Sequence, residues 1–115
     1  MIRLNVFIQV SAEHRAAVLE LAKELVSKSL KDNGCIAYDI FESATRSDVL
    51  MICETWSDEA ALKAHMEAEH FVTLVPKIES LAAMKLEQFS YHTSQYVAWI
   101  KTAFLYYLIY IQLQQ

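Results

Sequence analysis

The best chemical candidates in this sequence are two histidines in an aromatic-rich neighbourhood. His65 and His70 lie in a stretch with helical spacing. On an unbroken helix of ~3.6 residues per turn, five residues turn through roughly 140°, so the two rings share a pocket only if the helix breaks between them. An unperturbed imidazole titrates near pH ~6.5, which suits either ring to be the general base for a phenolic proton. On a solvated helix end the same residues would do no more than stabilise that end. Tyr38, midway along a strand-like run, can donate its hydroxyl to a substrate oxygen or pack as a core tyrosine. The indole of Trp56 offers a flat wall to an aromatic substrate, or packs in the core with its N–H seeking a partner. Asn5 interrupts an apolar strand. If buried it needs hydrogen bonds and could orient a substrate oxygen, whereas strict alternation turns it to water. Glu54 is a carboxylate partner for a histidine, or a surface strand residue.

The elements that must position these groups follow from periodicity. Ile2 to Val10 alternates, with Ile2, Leu4, Val6, Ile8 and Val10 on one face. Ser11 is the expected N-cap of a helix from Glu13 to about Lys31, whose apolar stripe is Val18, Leu21, Ala22, Leu25, Val26 and Leu30. Asn33-Gly34 ends it, with Gly34 free to take a positive φ. Cys35 to Glu42 and Val49 to Trp56 read as strands joined by a polar turn. Ser57 is the expected N-cap of a helix running towards Glu67 and interrupted near Ala68-Glu69. A further helical stretch begins at Phe71, and Pro76 predicts a kink or break within it. Met84 to Tyr91 alternates again. The order βαββαβ predicts a ferredoxin-like α+β fold, a four-stranded antiparallel sheet with helices on one face. Phe7, Phe41 and Phe89 are candidates for the other face, which a second copy of the chain would cover to give a homodimer.

Composition removes other classes of function. The chain has 115 residues, enough for a single domain of ordinary size; 55% are hydrophobic and 21% charged, which argues against disorder. Ten basic residues against fourteen acidic ones give a net charge of −4, contrary to a phosphate-binding surface, so no nucleic-acid partner is expected. A single glycine rules out glycine-rich phosphate loops. Cys35 and Cys53 form no CxxC and have no histidine at metal-ligand spacing, so they read as buried free thiols and no metal site is expected. The N-terminus starts directly in a strand pattern with no signal-peptide pattern, and the expected compartment is the cytoplasm.

The runs "NGCIAYDIFES", "MICETWSDEAALKAH" and "EAEHF" resemble the antibiotic biosynthesis monooxygenase domain family. The most specific part is Glu54-x-Trp56, followed by His65 and His70-Phe71. The resemblance spans roughly residues 1–91 and implies a dimeric ferredoxin-like α+β barrel. It implies cofactor-free oxygenation of quinol-like or polycyclic aromatic substrates by O₂, with no metal and no flavin. His65, His70 and Tyr38 would then be catalytic, and Trp56, Phe71, Asn5 and Glu54 would bind substrate. Related family members degrade haem or isomerise a phosphorylated signal. His65 and Val75 stand where the haem-degrading branch carries its Trp and His, which disfavours haem chemistry, although Asn5 keeps one feature of that branch. The alternatives are a proton-transfer isomerase of a small metabolite and a non-catalytic dimeric binding or stress module.

The domain is therefore expected over residues 1–94, with 95–115 as a separate apolar extension. Residues 96–111 are apolar or aromatic except Lys101 and Thr102. That run is shorter than the ~20 residues of a membrane span, and no membrane attachment is expected from it.

Overall fold

The computed structural model describes residues 1–91. The expected 95–115 extension lies outside the described residues. Four strands, β1 (Ile2–Gln9), β2 (Cys35–Glu42), β3 (Val49–Trp56) and β4 (Ala83–Ser90), form one antiparallel sheet in the order β2-β3-β1-β4. Helices α1 (Arg15–Ser29), α2 (Glu59–Glu67) and α3 (Glu69–Glu79) complete the α+β ferredoxin-like fold. The even residues of β1 turn inward, and Ile2, Leu4, Val6 and Ile8 join Leu50, Ile52 and Trp56 of β3 beneath Val18, Leu25, Leu62, Leu74 and Ile78 of the helices.

Register places Phe7, Phe41 and Phe89 together on the face away from the helices. Phe7 and Phe41 both oppose Met51, and Phe89 opposes Arg3. Phe41 is 48% and Phe89 42% exposed. Cys53 and Asn5 share this face, with Cys53 Sγ 3.6 Å from Asn5 Oδ1. Both cysteines are free and half-buried, where the sequence suggested buried thiols. Burial, then the charges of Asp32 and Glu54, push the Cys35 thiol up to about 11.

Three local expectations change. Ser11 does not cap α1: His14 occupies the cap position with helical dihedrals, and no side chain bonds there, because a capping side chain needs an extended backbone. At α2 the cap is Asp58, one residue beyond Ser57. Asp58 is extended and its Oδ1 accepts the Ala61 N–H at 2.8 Å. Ser57 is otherwise engaged, donating its backbone N–H to Gly34 O at 2.9 Å. The expected break at Pro76 is absent, and α3 runs through it. Proline removes the N–H that would have bonded the Val72 carbonyl, but Pro76 and Val72 are both on the exposed side, where water can substitute. The chain breaks instead at Ala68, which is extended (φ −67°, ψ 148°) between α2 and α3.

Gly34 links this frame to the site. Its φ is +81°, and a Cβ there would collide with the Ala61 side chain and Ser57 Oγ at the start of α2. Gly34→Ala is expected to destabilise the domain by about 1–3 kcal/mol in urea denaturation, and a neutral result would contradict the close approach.

Candidate active site

An apolar cavity of about 210 Å³ lies between the inner face of the sheet and the helices. Leu4, Val6 and Ile52 form its floor, and Leu62, Phe71 and Val75 its helical wall. Met66 of α2 and Leu86 of the edge strand β4 also line it and are exposed, so its mouth is apolar. Polar groups enter through Tyr38, Glu54 and Glu79. Tyr38 and Glu54 are cross-strand neighbours, which explains their meeting: β2 and β3 pair in a register that sets one opposite the other on the inner face. They are 4% and 5% exposed.

Burying Glu54 has electrostatic consequences. Loss of water raises its pKa above the ordinary carboxylate range, and hydrogen bonds from Trp56 and Tyr38 offset part of that rise. Trp56 Nε1–H donates to Glu54 Oε1 at 3.1 Å. Burial, followed by the Glu54 charge and the hydrogen bond to it, pushes the Tyr38 phenol far up, so it stays protonated and available as a donor.

Behind this pair lies a second polar group. The break at Ala68 swings His65 at the end of α2 and His70 at the start of α3 onto one acceptor, Asp32 Oδ2. His65 Nδ1 lies 2.8 Å and His70 Nε2 2.7 Å from it. A carboxylate only accepts, so His65 carries its proton on Nδ1 and His70 on Nε2. The His65 ring is fully buried and packs on Trp56, with centroids 4.4 Å apart, and edge-on with Phe71 and Tyr38. Its Nε2 is buried without a hydrogen-bond partner. Burial lowers the His65 pKa, while the Asp32 bond opposes that.

The sequence-predicted residues therefore separate by place. Tyr38, Glu54 and Phe71 line the cavity. Trp56 is fully buried behind it, bonded to Glu54 and stacked on His65. His65 and His70 converge across the helix break, but on Asp32, and neither is among the cavity's lining residues. His70 faces a different groove, beside Glu24, Lys28 and Lys77. Asn5 is on the opposite face of the sheet. Sequence reasoning missed Asp32, reading only its neighbours Asn33-Gly34 as a helix stop. The available signal was an acid just past a helix C-terminus, where the macrodipole disfavours negative charge unless something else holds it.

Residues 1–77 match the model of the antibiotic biosynthesis monooxygenase family. The chain belongs to that family. A Bacillus subtilis (strain 168) relative, YcnE, named provisionally as a monooxygenase, is 37% identical over 87 residues, 76% of this chain and 92% of its own length. A crystal structure from Bacteroides thetaiotaomicron, of unknown function and described as an oxidoreductase candidate, is 54% identical with TM-score 0.77, covering 78% of this chain and 96% of that one. Another, described as an antibiotic biosynthesis monooxygenase, is 30% identical with TM-score 0.74, covering 80% and 99%. Among the described residues of this family member, no helix is long and apolar enough to cross a membrane.

The raised pKa of Glu54 sets a pH dependence. The folded carboxyl holds its proton above the pH at which the unfolded one releases it. Its contribution to stability is thus fully present below the unfolded value of 4.5 and is lost as pH rises through the folded value. Glu54→Gln keeps an acceptor for Trp56 and never ionises. Its stability relative to the native chain should increase as pH rises from 4.5 to the folded value, by at most about 1.4 kcal/mol per pH unit, and level off beyond it. Urea denaturation of both proteins across pH 4–8 reads this directly, and a pH-independent difference would contradict it.

Proposed function

We propose that this domain is a cofactor-independent monooxygenase that oxidises a quinol-like aromatic of one or two rings with O₂. The observation that carries this reading is an apolar cavity whose polar end is a buried carboxylate beside a protonated phenol. A volume of about 210 Å³ is below the roughly 300–1,000 Å³ typical of drug-sized ligand sites, which favours small quinols over three-ring substrates.

The chemistry follows from those groups. Glu54, whose burial makes its carboxylate a stronger base than a surface glutamate, accepts the phenolic proton. Tyr38 donates a hydrogen bond to the substrate oxygen as negative charge builds on it. The electron-rich phenolate gives an electron to O₂, and the two radicals join at a ring carbon as a peroxide anion, which takes the proton held by Glu54 to become a hydroperoxide. Cleavage of its O–O bond with loss of the hydrogen on that ring carbon releases water and leaves a new carbonyl. Hydroquinone and O₂ thus become hydroxyquinone and water, with one oxygen atom retained in the product. The apolar walls keep competing water from the reactive intermediates. His65 and Trp56 hold Glu54 in place from behind. Two copies pair through the face bearing Phe7, Phe41 and Phe89, which a monomer would leave wet. A proton-transfer enzyme for a small anionic metabolite would want a cation at its site, and neither lysine nor arginine lines this cavity.

Oxygen uptake by chelator-treated protein with hydroquinones, naphthohydroquinones and anthrone tests the reading. The smaller quinols should be consumed with one ¹⁸O from ¹⁸O₂ in the product. Glu54→Gln should lower kcat by about 100-fold and Tyr38→Phe by about tenfold. Uptake no faster than the protein-free blank, or full activity in Glu54→Gln, would overturn it.

A further inference from the structure

The Asp32 cluster lies outside the cavity, and orienting Trp56 does not account for all of it. Its three donor atoms come from three separate segments: the turn after α1, the end of α2 and the start of α3. Asp32 Oδ2, His65 Nδ1 and His70 Nε2 all lie within 4.8 Å of one another. We propose that these atoms form a binding site for a divalent first-row transition ion such as Zn²⁺, with its remaining positions open towards the groove beside α1 and α3.

Geometry, charge and tautomer support this. With metal–ligand bonds of about 2.1 Å, donor atoms are about 3.0 Å apart at a right angle and about 3.4 Å apart at a tetrahedral one. The two oxygen–nitrogen separations, 2.8 and 2.7 Å, are already close to the first value. Two imidazoles and one carboxylate are a donor set that suits zinc, iron, cobalt and nickel over magnesium or calcium. Both ion pairs found for Asp32 are to these histidines, while Lys28 is paired with Glu24. The carboxylate therefore has no lysine or arginine to neutralise it among the described ion pairs. Asp32 and His70 side chains are 19% and 15% exposed, which leaves a path for an ion to enter.

The orphaned Nε2 of His65 adds an independent observation. With its proton on Nδ1, the ring buries a bare lone pair at Nε2, and the ring itself packs against Tyr38, Trp56 and Phe71. Metal on Nδ1 moves the proton to Nε2. An N–H among aromatic rings gains weak attraction from their π faces, and a lone pair gains none. The ion would tie the three segments together without lining the cavity, and its test reads ion binding, not turnover.

The test uses the full chain stripped with chelator. Calorimetric titration with Zn²⁺, and Co²⁺ titration followed by visible absorption, should both show saturable binding of a single ion per chain. Tm should rise with Zn²⁺ concentration, as for any ligand that binds only the folded state. Asp32→Asn and His70→Gln should each weaken binding by about tenfold or more. Should Asp32→Asn fail to fold, His70→Gln, on the partly exposed ring, decides alone. No saturable binding at millimolar Zn²⁺, or binding unchanged in the folded variants, would overturn the site.

Discussion

One carboxylate oxygen holding two imidazoles is the interaction on which the rest of the site depends. Asp32 Oδ2 accepts from His65 and His70, and so fixes the angle between α2 and α3 at the Ala68 break. His65, pinned there, lies against Trp56, whose N–H in turn holds Glu54. Glu54 then faces the cavity beside Tyr38. The chain of contacts runs from a turn at the domain surface to the polar end of an apolar hollow. Each link is a hydrogen bond or a ring contact between groups with little freedom to move.

Such an arrangement is costly. A buried carboxylate loses its hydration, and two neutral donors only partly replace it. His65 carries a buried nitrogen with no partner. Neither feature is explained by stability, because a hydrophobic core of the same volume would avoid both. The first is the feature expected of the base proposed for the cavity, and the second of the ion site proposed beside it. Gly34 shows the same economy of space: its positive φ lets the β2 start approach α2 so closely that no side chain fits between them.

Much of this was legible in the sequence because it is periodic. Alternation in β1 identified its inner face, and register then put Phe7, Phe41 and Phe89 on the outer one. The helix break near Ala68 was also readable, from the spacing of the histidines and what their convergence would require. Side-chain partners were not. Whether Glu54 faces water or the cavity depends on the pairing register of β2 with β3, which strand patterns alone leave open. Asp32 comes to His65 and His70 across more than thirty positions of chain, a separation that short-range patterns do not report. Pro76 does not break α3, because the cost of a helical proline depends on whether the orphaned carbonyl reaches water, and Val72 is exposed.

The role proposed for Glu54 as a base at the cavity's polar end is best tested by following its side-chain carboxyl by ¹³C NMR. The titration would be run with and without a phenol that resists oxidation. A midpoint above the ordinary glutamate range, and a resonance that moves when the phenol binds, are the expected results. A carboxyl that titrates like a surface glutamate and ignores the phenol would contradict a base facing the substrate.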